Sequence, residues 1–134
     1  MSAFKLDRVL EADSMLVSKL GLCQLRLMND SRWPWLLLIP QRPEAEEIYH
    51  LTPLDQTLLT FETCEIARAL KQVTGCAKIN VAALGNQVRQ LHFHVIARRT
   101  DDAAWPKPVW GVGTAIPYDR GEADGLKAAI VDAL

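Results

Sequence analysis

The chain has 134 residues, enough for one hydrophobic core and hardly for two, so a single domain over residues 1–134 is expected. Fifteen Lys and Arg oppose sixteen Asp and Glu, and the formal net charge is −1. This balance provides no basic field for nucleic-acid backbones or anionic lipid, which argues against nucleic acid and membranes as partners.

The three cysteines, Cys23, Cys64 and Cys76, are odd in number and form no Cys-x-x-Cys pair. This pattern argues against a disulfide framework and a thiolate zinc site, and it indicates a reducing compartment. We interpret the cysteines as small core hydrophobes. The N-terminus has no apolar signal-peptide region, and the longest apolar run, residues 35–39, is far short of a bilayer span. A cytoplasmic protein is expected.

The first half of the chain predicts one helix and two strands. Apolar residues at three- and four-residue spacing predict a helix over residues 7–20, and Gly21 follows where helices commonly stop. Alternation over 22–28 predicts a strand, turn-forming residues occupy 29–34, and the apolar run 35–39 predicts a second strand. The short turn makes these two strands antiparallel.

The middle of the chain predicts the longest helix and a further strand. Thr52 is a typical N-cap residue and Pro53 suits the first helical position. The apolar stripe that follows ends at Gly75. Residues 77–83 then predict a strand, and 84–87 a tight connection.

A strand over residues 88–99 is predicted next, then an irregular Trp-, Pro- and Gly-rich segment at 101–118 and a short closing helix at 123–134. The order is αββαββ with a tail. Strands joined by short turns predict an α+β domain with a mainly antiparallel sheet and helices over one face. The other face is expected to be left to a ligand or a partner.

The predicted strand 88–99 carries two of the chain's three histidines on one side. Because side chains alternate along a strand, Gln90, His92 and His94 share a face. The opposite face is apolar and would clamp the strand into the core; it carries Leu91, Phe93, Val95 and Ala97. Two rigidly held imidazoles are what a catalytic site requires, although two histidines on a solvated face would be the simplest alternative.

Histidine chemistry suits displacement at phosphorus. An imidazole with the ordinary pKa of about 6.5 is a competent nucleophile at physiological pH, and it splits one hard displacement into two easier ones through a covalent intermediate. We expect His92 to attack and His94 to stabilise charge on phosphate oxygens, with neutral donors from Asn86, Gln87 and Gln90. The sequence does not show which group fixes the tautomer of His92.

The stretch from Leu84 to Ile96 resembles the signature of the histidine triad (HIT) proteins, His-φ-His-φ-His-φ-φ with φ apolar, and Gln90 stands at the first histidine position. The resemblance covers about residues 22–99. It implies a HIT-like α+β fold, with a mainly antiparallel five-stranded sheet and two main helices on one face. It also implies a homodimer and nucleotidyl hydrolase or transferase activity.

The resemblance also implies roles for individual residues. His92 matches the middle histidine, which attacks the α-phosphorus, and His94 matches the last histidine. Polar residues that contact the phosphate are matched by Asn86 and Gln87. Positions near the ribose and the rim of the site are matched by Asn29 and Asn80.

Two departures from the pattern bear on hydrolytic rate more than on nucleotide binding. Gln90 cannot titrate, and Trp35 stands after Pro34 where many members have a further histidine. The Cys and His zinc ligands that some bacterial members carry near the N-terminus are not visible. A site with no metal and no cofactor is implied.

The expected function is hydrolysis or transfer of the nucleotidyl group of a small purine nucleotide conjugate, such as a phosphoramidate, an acyl nucleotide or a dinucleoside polyphosphate. The first alternative is a catalytically weak or inactive dimer that binds a nucleotide or a partner. The second is a metalloenzyme that uses His92 and His94 as a ligand pair, for which no further ligand stands at typical spacing.

Other candidate residues have simpler interpretations. His50 is expected at the surface or in a cap, and Arg98 and Arg99 are expected to be solvated at the strand end. The segment from Trp105 to Trp110 is either an aromatic lid over a base or, as we favour, a segment packed against a partner subunit.

Overall fold

The computed structural model describes residues 3–134, which form one five-stranded sheet with helices on both sides. The strand order is β1-β2-β3-β5-β4 and every neighbouring pair is antiparallel. The fold class expected from the sequence is therefore confirmed. The elements are, in chain order, α1 (Arg8–Asp13), β1 (Ser14–Lys19), β2 (Cys23–Met28), β3 (Trp35–Pro40), a 3₁₀ turn (Ile48–His50), α2 (Pro53–Thr74), β4 (Lys78–Ala82), β5 (Phe93–Arg98) and α3 (Arg120–Asp132).

The long helix α2 begins and ends where its sequence predicts. The hydroxyl of Thr52 accepts a hydrogen bond from the backbone N–H of Asp55 at 3.2 Å, and Pro53 occupies the first helical position. Gly75 ends the helix in the left-handed conformation, with φ of 63°. These end residues set the boundaries of the helix.

The predicted helix over residues 7–20 is wrong in its second half. The helix α1 covers only Arg8–Asp13, and Ser14–Lys19 forms the edge strand β1, paired with β2. Met15 and Val17 alternate into the core as a strand requires, yet apolar residues this close together also fit a helix. Pairing with β2 decided between helix and strand, and the spacing of apolar residues in 7–20 carries no information about that pairing.

The histidine strand is shorter than predicted. The strand β5 covers Phe93–Arg98, so residues 88–92 lie outside the ladder and Gln90 occupies a bend. The alternation nevertheless continues through Leu91, which is 4% exposed in the core and whose N–H donates to the carbonyl of Ala45 at 2.9 Å. His92 therefore lies just before the strand and His94 within it.

The two main helices share one face of the sheet, as expected. The helix α2 contacts β4, β5 and α3, and α3 contacts β1. The core between them, here called the helix-side core, is almost entirely apolar; its largest members are Leu22, Leu25, Leu27, Leu36, Leu38, Leu59, Ile66 and Leu70.

The opposite face of the sheet is also covered by the chain, contrary to the expectation that it is left to a ligand or partner. The second core, here called the cleft-side core, consists of Leu10, Trp33, Trp35, Leu37, Ile39, Ile96 and Val109. Phe4 and Leu6 pack against it from the N-terminus, and Trp110 and Val112 pack from the C-terminal segment. A cleft near the histidines remains open.

The C-terminal segment is irregular between Asp101 and Tyr118, as predicted, and then forms α3 with Asp119 as its N-cap. A buried ion pair ties this segment to the sheet. Arg98 donates to Asp102 at 2.8 Å, and the two side chains are 2% and 4% exposed. The prediction that Arg98 is solvated is wrong, because Asp102 in the following turn supplies its counter-charge; Arg99 is exposed as expected.

Two smaller features complete the fold. Cys23 and Cys76 are buried, whereas Cys64 is exposed on α2, so the interpretation of all three as core residues is wrong for Cys64. His50 caps its own 3₁₀ turn, because its Nδ1 accepts from the backbone N–H groups of Glu46 and Glu47. Within residues 3–134, no helix is both long and apolar enough to span a membrane.

Candidate active site

His92 is held in a single tautomer by the backbone. Its Nδ1 lies 2.6 Å from the carbonyl oxygen of Gln90. A carbonyl only accepts, so Nδ1 carries a proton, and in the neutral ring Nε2 keeps its lone pair. The group that fixes the tautomer, which the sequence did not reveal, is thus the main chain two residues earlier. This is the state that a nucleophilic imidazole requires.

His94 has both ring nitrogens occupied. The indole Nε1–H of Trp35 donates to His94 Nδ1 at 3.0 Å, and His94 Nε2 lies 2.8 Å from the carbonyl oxygen of Leu84. An indole only donates, so Nδ1 is unprotonated and Nε2–H donates to Leu84. Burial of the ring lowers the pKa of His94 to about 4. His94 is therefore neutral at physiological pH.

This geometry differs from the role that sequence reasoning gave to His94. A donor to phosphate oxygens needs a free N–H, and the N–H of His94 is committed to Leu84. A metal ligand needs a free lone pair, and that of His94 is committed to Trp35. Trp35 produces this arrangement, because its indole N–H supplies the donor to Nδ1.

A loop over residues 84–88, here called the glycine loop, lies directly against His92. A Cβ atom on Gly85 would stand 2.9 Å from Cε1 of His92 and 2.6 Å from the carbonyl oxygen of Val88, which is closer than real Cβ contacts. Glycine is required for this approach. Since His94 bonds the carbonyl of Leu84, it holds the start of the same loop.

Two cavities meet at His92. A mainly apolar cavity of about 420 Å³ lies on one side, and its walls include Val9, Leu10, Met28, Trp35, Gln87, His94 and Trp110. A polar cavity of about 240 Å³ lies on the other, and its walls include Glu46, Glu47, Arg89 and Gln90. Gly85, Asn86 and His92 line both. A substrate that spans the cavities would present its central atoms to His92.

Trp110 lines the apolar cavity beside His94. Its ring centroid lies 5.0 Å from that of His94 and 6.0 Å from that of Trp35, both edge to face. The sequence left open an aromatic lid over a base and, as the favoured interpretation, packing of residues 105–110 against a partner subunit. In the structure Trp110 packs against Trp35 and His94 of its own chain. The available signal was an aromatic residue in a Pro- and Gly-rich segment, which does not show where the segment folds.

Asn29 lies in a further cavity of about 420 Å³ whose lining shares Met28, Trp35 and Trp110 with the apolar one. The side-chain carbonyl of Asn29 accepts from the backbone N–H of Tyr118 at 2.9 Å. Beside it, burial would raise the pKa of Asp30, but hydrogen bonds from Arg32 outweigh burial and lower it. Asn29 therefore stands at an extension of the cleft.

The structure does not bring all the predicted site residues together. The apolar cavity is lined by Asn86, Gln87, His92 and His94. The side chains of Asn86 and Gln87 are exposed. Asn80 lies on β4, where its side-chain carbonyl accepts from Arg98 at 2.9 Å. Within the described chain it lines none of the cavities at His92.

Gln90 stands at the polar cavity, but its amide is directed to the N-terminal segment. Its Oε1 accepts from the backbone N–H of Asp7, and its Nε2 donates to the carbonyl of Lys5, both at 2.8 Å. In residues 3–134, no three or more His, Cys, Asp or Glu side chains cluster so as to hold a metal ion.

Residues 9–101 match the model of the HIT domain. The chain belongs to the histidine triad family. Its resemblance begins earlier than the residue 22 expected from the sequence, because α1 and β1 are part of the matched region. Proteins of this family are in general nucleotidyl hydrolases and transferases, which bind nucleotides.

Solved structures of bacterial HIT proteins are similar over nearly the whole chain. A histidine triad protein from Sinorhizobium meliloti is 56% identical with a TM-score of 0.96, over 98% of this chain and 97% of that one. One from Bradyrhizobium japonicum is 44% identical with a TM-score of 0.97, over 98% of each chain. One from Marinobacter aquaeolei is 40% identical with a TM-score of 0.96, over 99% of this chain and 97% of that one. No curated protein matches this HIT protein.

Proposed function

We propose that this HIT protein hydrolyses or transfers the nucleotidyl group of a small purine nucleotide conjugate, with Nε2 of His92 as the nucleophile. The observation that carries the proposal is the 2.6 Å hydrogen bond from His92 Nδ1 to the carbonyl of Gln90, which leaves Nε2 of the neutral ring unprotonated on a residue that lines both cavities. The conjugate is a phosphoramidate, an acyl nucleotide or a dinucleoside polyphosphate.

The two cavities suit the two halves of such a conjugate. The apolar cavity offers Met28, Leu10 and the aromatic ring of Trp110 to a purine base. The polar cavity offers Glu46, Glu47 and Arg89 to a polar leaving group. The α-phosphate would lie between them at His92, beside the amide donors of Asn86 and Gln87.

The reaction proceeds in two steps at the α-phosphorus. In the first, the Nε2 lone pair forms a bond to phosphorus while the bond to the leaving group breaks, and the leaving group departs with that electron pair and takes a proton from solvent. In the second, water attacks the phosphorus, the bond to Nε2 breaks, and a nucleoside monophosphate and a proton are released. A second nucleophile in place of water gives transfer.

The test of the covalent mechanism is a rapid quench of the enzyme with substrate labelled at the α-phosphate. Mass spectrometry is expected to find a nucleotidyl adduct on His92 in the wild type. Turnover without such an adduct, together with activity in His92→Ala, would contradict the proposal.

A second candidate function is a weakly catalytic nucleotide-binding module. One observation favours it: two of the three motif positions carry no free charge, because the His94 ring is neutral with both nitrogens bonded and the Gln90 amide is bonded to backbone. Micromolar binding of AMP with no turnover on a panel of phosphoramidates, acyl nucleotides and dinucleoside polyphosphates would establish this candidate over the first.

We also propose that the chain is a homodimer. The strand β4 is an edge of the sheet and exposes Val81, and α2, which contacts β4, exposes Leu54 and Phe61. Light scattering at micromolar concentration is expected to give twice the 15.0 kDa chain mass. A persistent monomer mass would contradict the dimer. The free state of all three cysteines supports a reducing compartment, for which we propose the cytoplasm.

A further inference from the structure

The amide of Gln90 binds the backbone of the N-terminal segment through both its oxygen and its nitrogen. It accepts from the N–H of Asp7 and donates to the carbonyl of Lys5, each at 2.8 Å, across more than eighty residues of sequence. The oxygen and the nitrogen of a primary amide are attached to the same carbon, so one side chain can accept from the N–H of Asp7 and donate to the carbonyl of Lys5. An imidazole at this position would have its two nitrogens on different sides of the ring, and a carboxylate would have no donor.

The backbone that Gln90 holds leads directly into α1. The Asp7 carboxylate accepts from the N–H of Val9 at 2.8 Å and so starts the helix. On the same segment, Phe4 and Leu6 pack against the cleft-side core. Hydrogen bonds from Gln90 and apolar contacts from Phe4 and Leu6 thus fix the segment on its two sides.

The helix that follows forms one wall of the cleft. Val9 and Leu10 line the apolar cavity opposite the glycine loop, together with Asp13 at the end of α1. Displacement of residues 4–7 would move these side chains away from His92 and Trp110. The N-terminal segment is therefore part of the cleft only while its anchor holds.

We propose that Gln90 is a positioning residue that anchors residues 4–7, so that α1 closes the nucleotide cleft. It takes no part in proton transfer. The placement of α1 against the ligand rests on the proposed nucleotide function, whereas the anchor itself is a property of the free protein. Glutamine occupies the first motif position because a neutral amide can bond both an N–H and a carbonyl of the segment.

The test measures the anchor without ligand. In Gln90→Met, which keeps the length of the side chain and removes the amide, NMR-detected hydrogen exchange of the Asp7 amide is expected to be about tenfold faster, since one hydrogen bond is lost. Gln90→Glu keeps an acceptor for this N–H, so exchange is expected to be slower than in Gln90→Met. Gln56→Met is the matched control, because the Gln56 amide also donates to a backbone carbonyl, that of Leu51, and lies outside the cleft.

The second measurement separates positioning from catalysis. Binding of AMP is expected to be about three- to tenfold weaker in Gln90→Met, and KM for an adenosine phosphoramidate is expected to rise by a similar factor with kcat nearly unchanged. Leu6→Ala, which loosens the same segment and leaves the Gln90 side chain intact, is expected to weaken AMP binding and raise KM in the same way. In the double variant, the loss of AMP affinity is expected to be smaller than the sum of the two single losses.

Each outcome decides a different part of the proposal. Unchanged Asp7 exchange in Gln90→Met would overturn the anchor. A fall in kcat with unchanged AMP affinity would overturn the positioning role in favour of a catalytic one. Faster Asp7 exchange in a protein whose wild type binds no AMP would support the anchor, and it would overturn the nucleotide function and the cleft wall with it.

Discussion

The two faces of the sheet are built by different physical means. The helix-side core is filled by leucine, isoleucine and valine side chains from strands and from α2, so non-directional apolar contact stabilises it. The cleft side combines Trp33 and Trp35 with buried polar groups, among them His94 and the Arg98–Asp102 pair. Buried polar groups need partners of defined geometry. The difference indicates that the helix side is stabilised mainly by apolar contact, whereas the cleft side combines apolar contact with directional polar contacts that also place the chemistry.

The strongest test of this division is the loss of the nucleophile. In His92→Ala, turnover is expected to fall on the order of 10⁴-fold or more, because no other group can form the covalent intermediate. The free energy of unfolding should change far less than activity. Turnover of a phosphoramidate and urea unfolding measure the two effects. His50→Ala is the control, since His50 is exposed in its own turn. Equal loss in both variants would show that the assay reports folding and not chemistry.

The second test breaks the buried ion pair on the cleft side. Asp102→Ala leaves Arg98 buried without its counter-charge, and the free energy of unfolding is expected to fall by about 3–5 kcal/mol. Asp101→Ala is the matched control, because Asp101 pairs with Arg99 at the surface, with side chains 74% and 65% exposed. A change of less than about 1 kcal/mol is expected there. Similar values for the two variants in urea unfolding would mean that burial of Arg98 does not require Asp102.

The third test uses the pH dependence of stability that His94 on the cleft side should produce. The folded state holds His94 neutral and lowers its pKa to about 4, whereas the unfolded chain has the ordinary value of 6.5. Above pH 6.5 neither state binds the proton, so stability is highest. Between pH 6.5 and 4 only the unfolded state binds it, and stability is expected to fall by up to about 3 kcal/mol.

Urea unfolding at about pH 7 and about pH 5 measures the upper part of this fall, above the ordinary pKa values of Asp and Glu. His94→Gln, which cannot titrate, is expected to show a flatter dependence. An equally steep fall in that variant would assign the pH dependence to another group.

The smallest expected effect concerns the hydrogen bond that Trp35 donates to His94. Trp35→Phe removes the indole N–H and keeps an aromatic ring, so the free energy of unfolding is expected to fall by about 1–2 kcal/mol. The pKa of His94 should rise toward its ordinary value. In the wild type a proton on Nδ1 would face the indole N–H of Trp35, and the phenylalanine variant removes that N–H. NMR titration of the imidazole measures this pKa, and urea unfolding measures the free energy. Trp105→Phe, on an exposed ring, is the control. An unchanged pKa would show that burial alone keeps His94 neutral.

The sequence by itself determined the elements with strong local signals. Thr52, Pro53 and Gly75 bounded α2 because caps and helix breakers act within a few residues. The alternation through Leu91 and Phe93 placed the core side of the histidine strand. The motif around His92 also predicted the family and the five-stranded sheet, both of which were confirmed.

Tertiary structure decided whatever depended on distant partners. Residues 14–19 became a strand because β2 pairs with them, and Arg98 became buried because Asp102 folds back over it. The amide of Gln90 was bonded to the N-terminal segment, and the ring of His94 to Trp35 and Leu84. Sequence fixes which groups can donate or accept. Only the folded chain decides which of them meet, because a hydrogen bond depends on distance and direction between residues far apart in sequence.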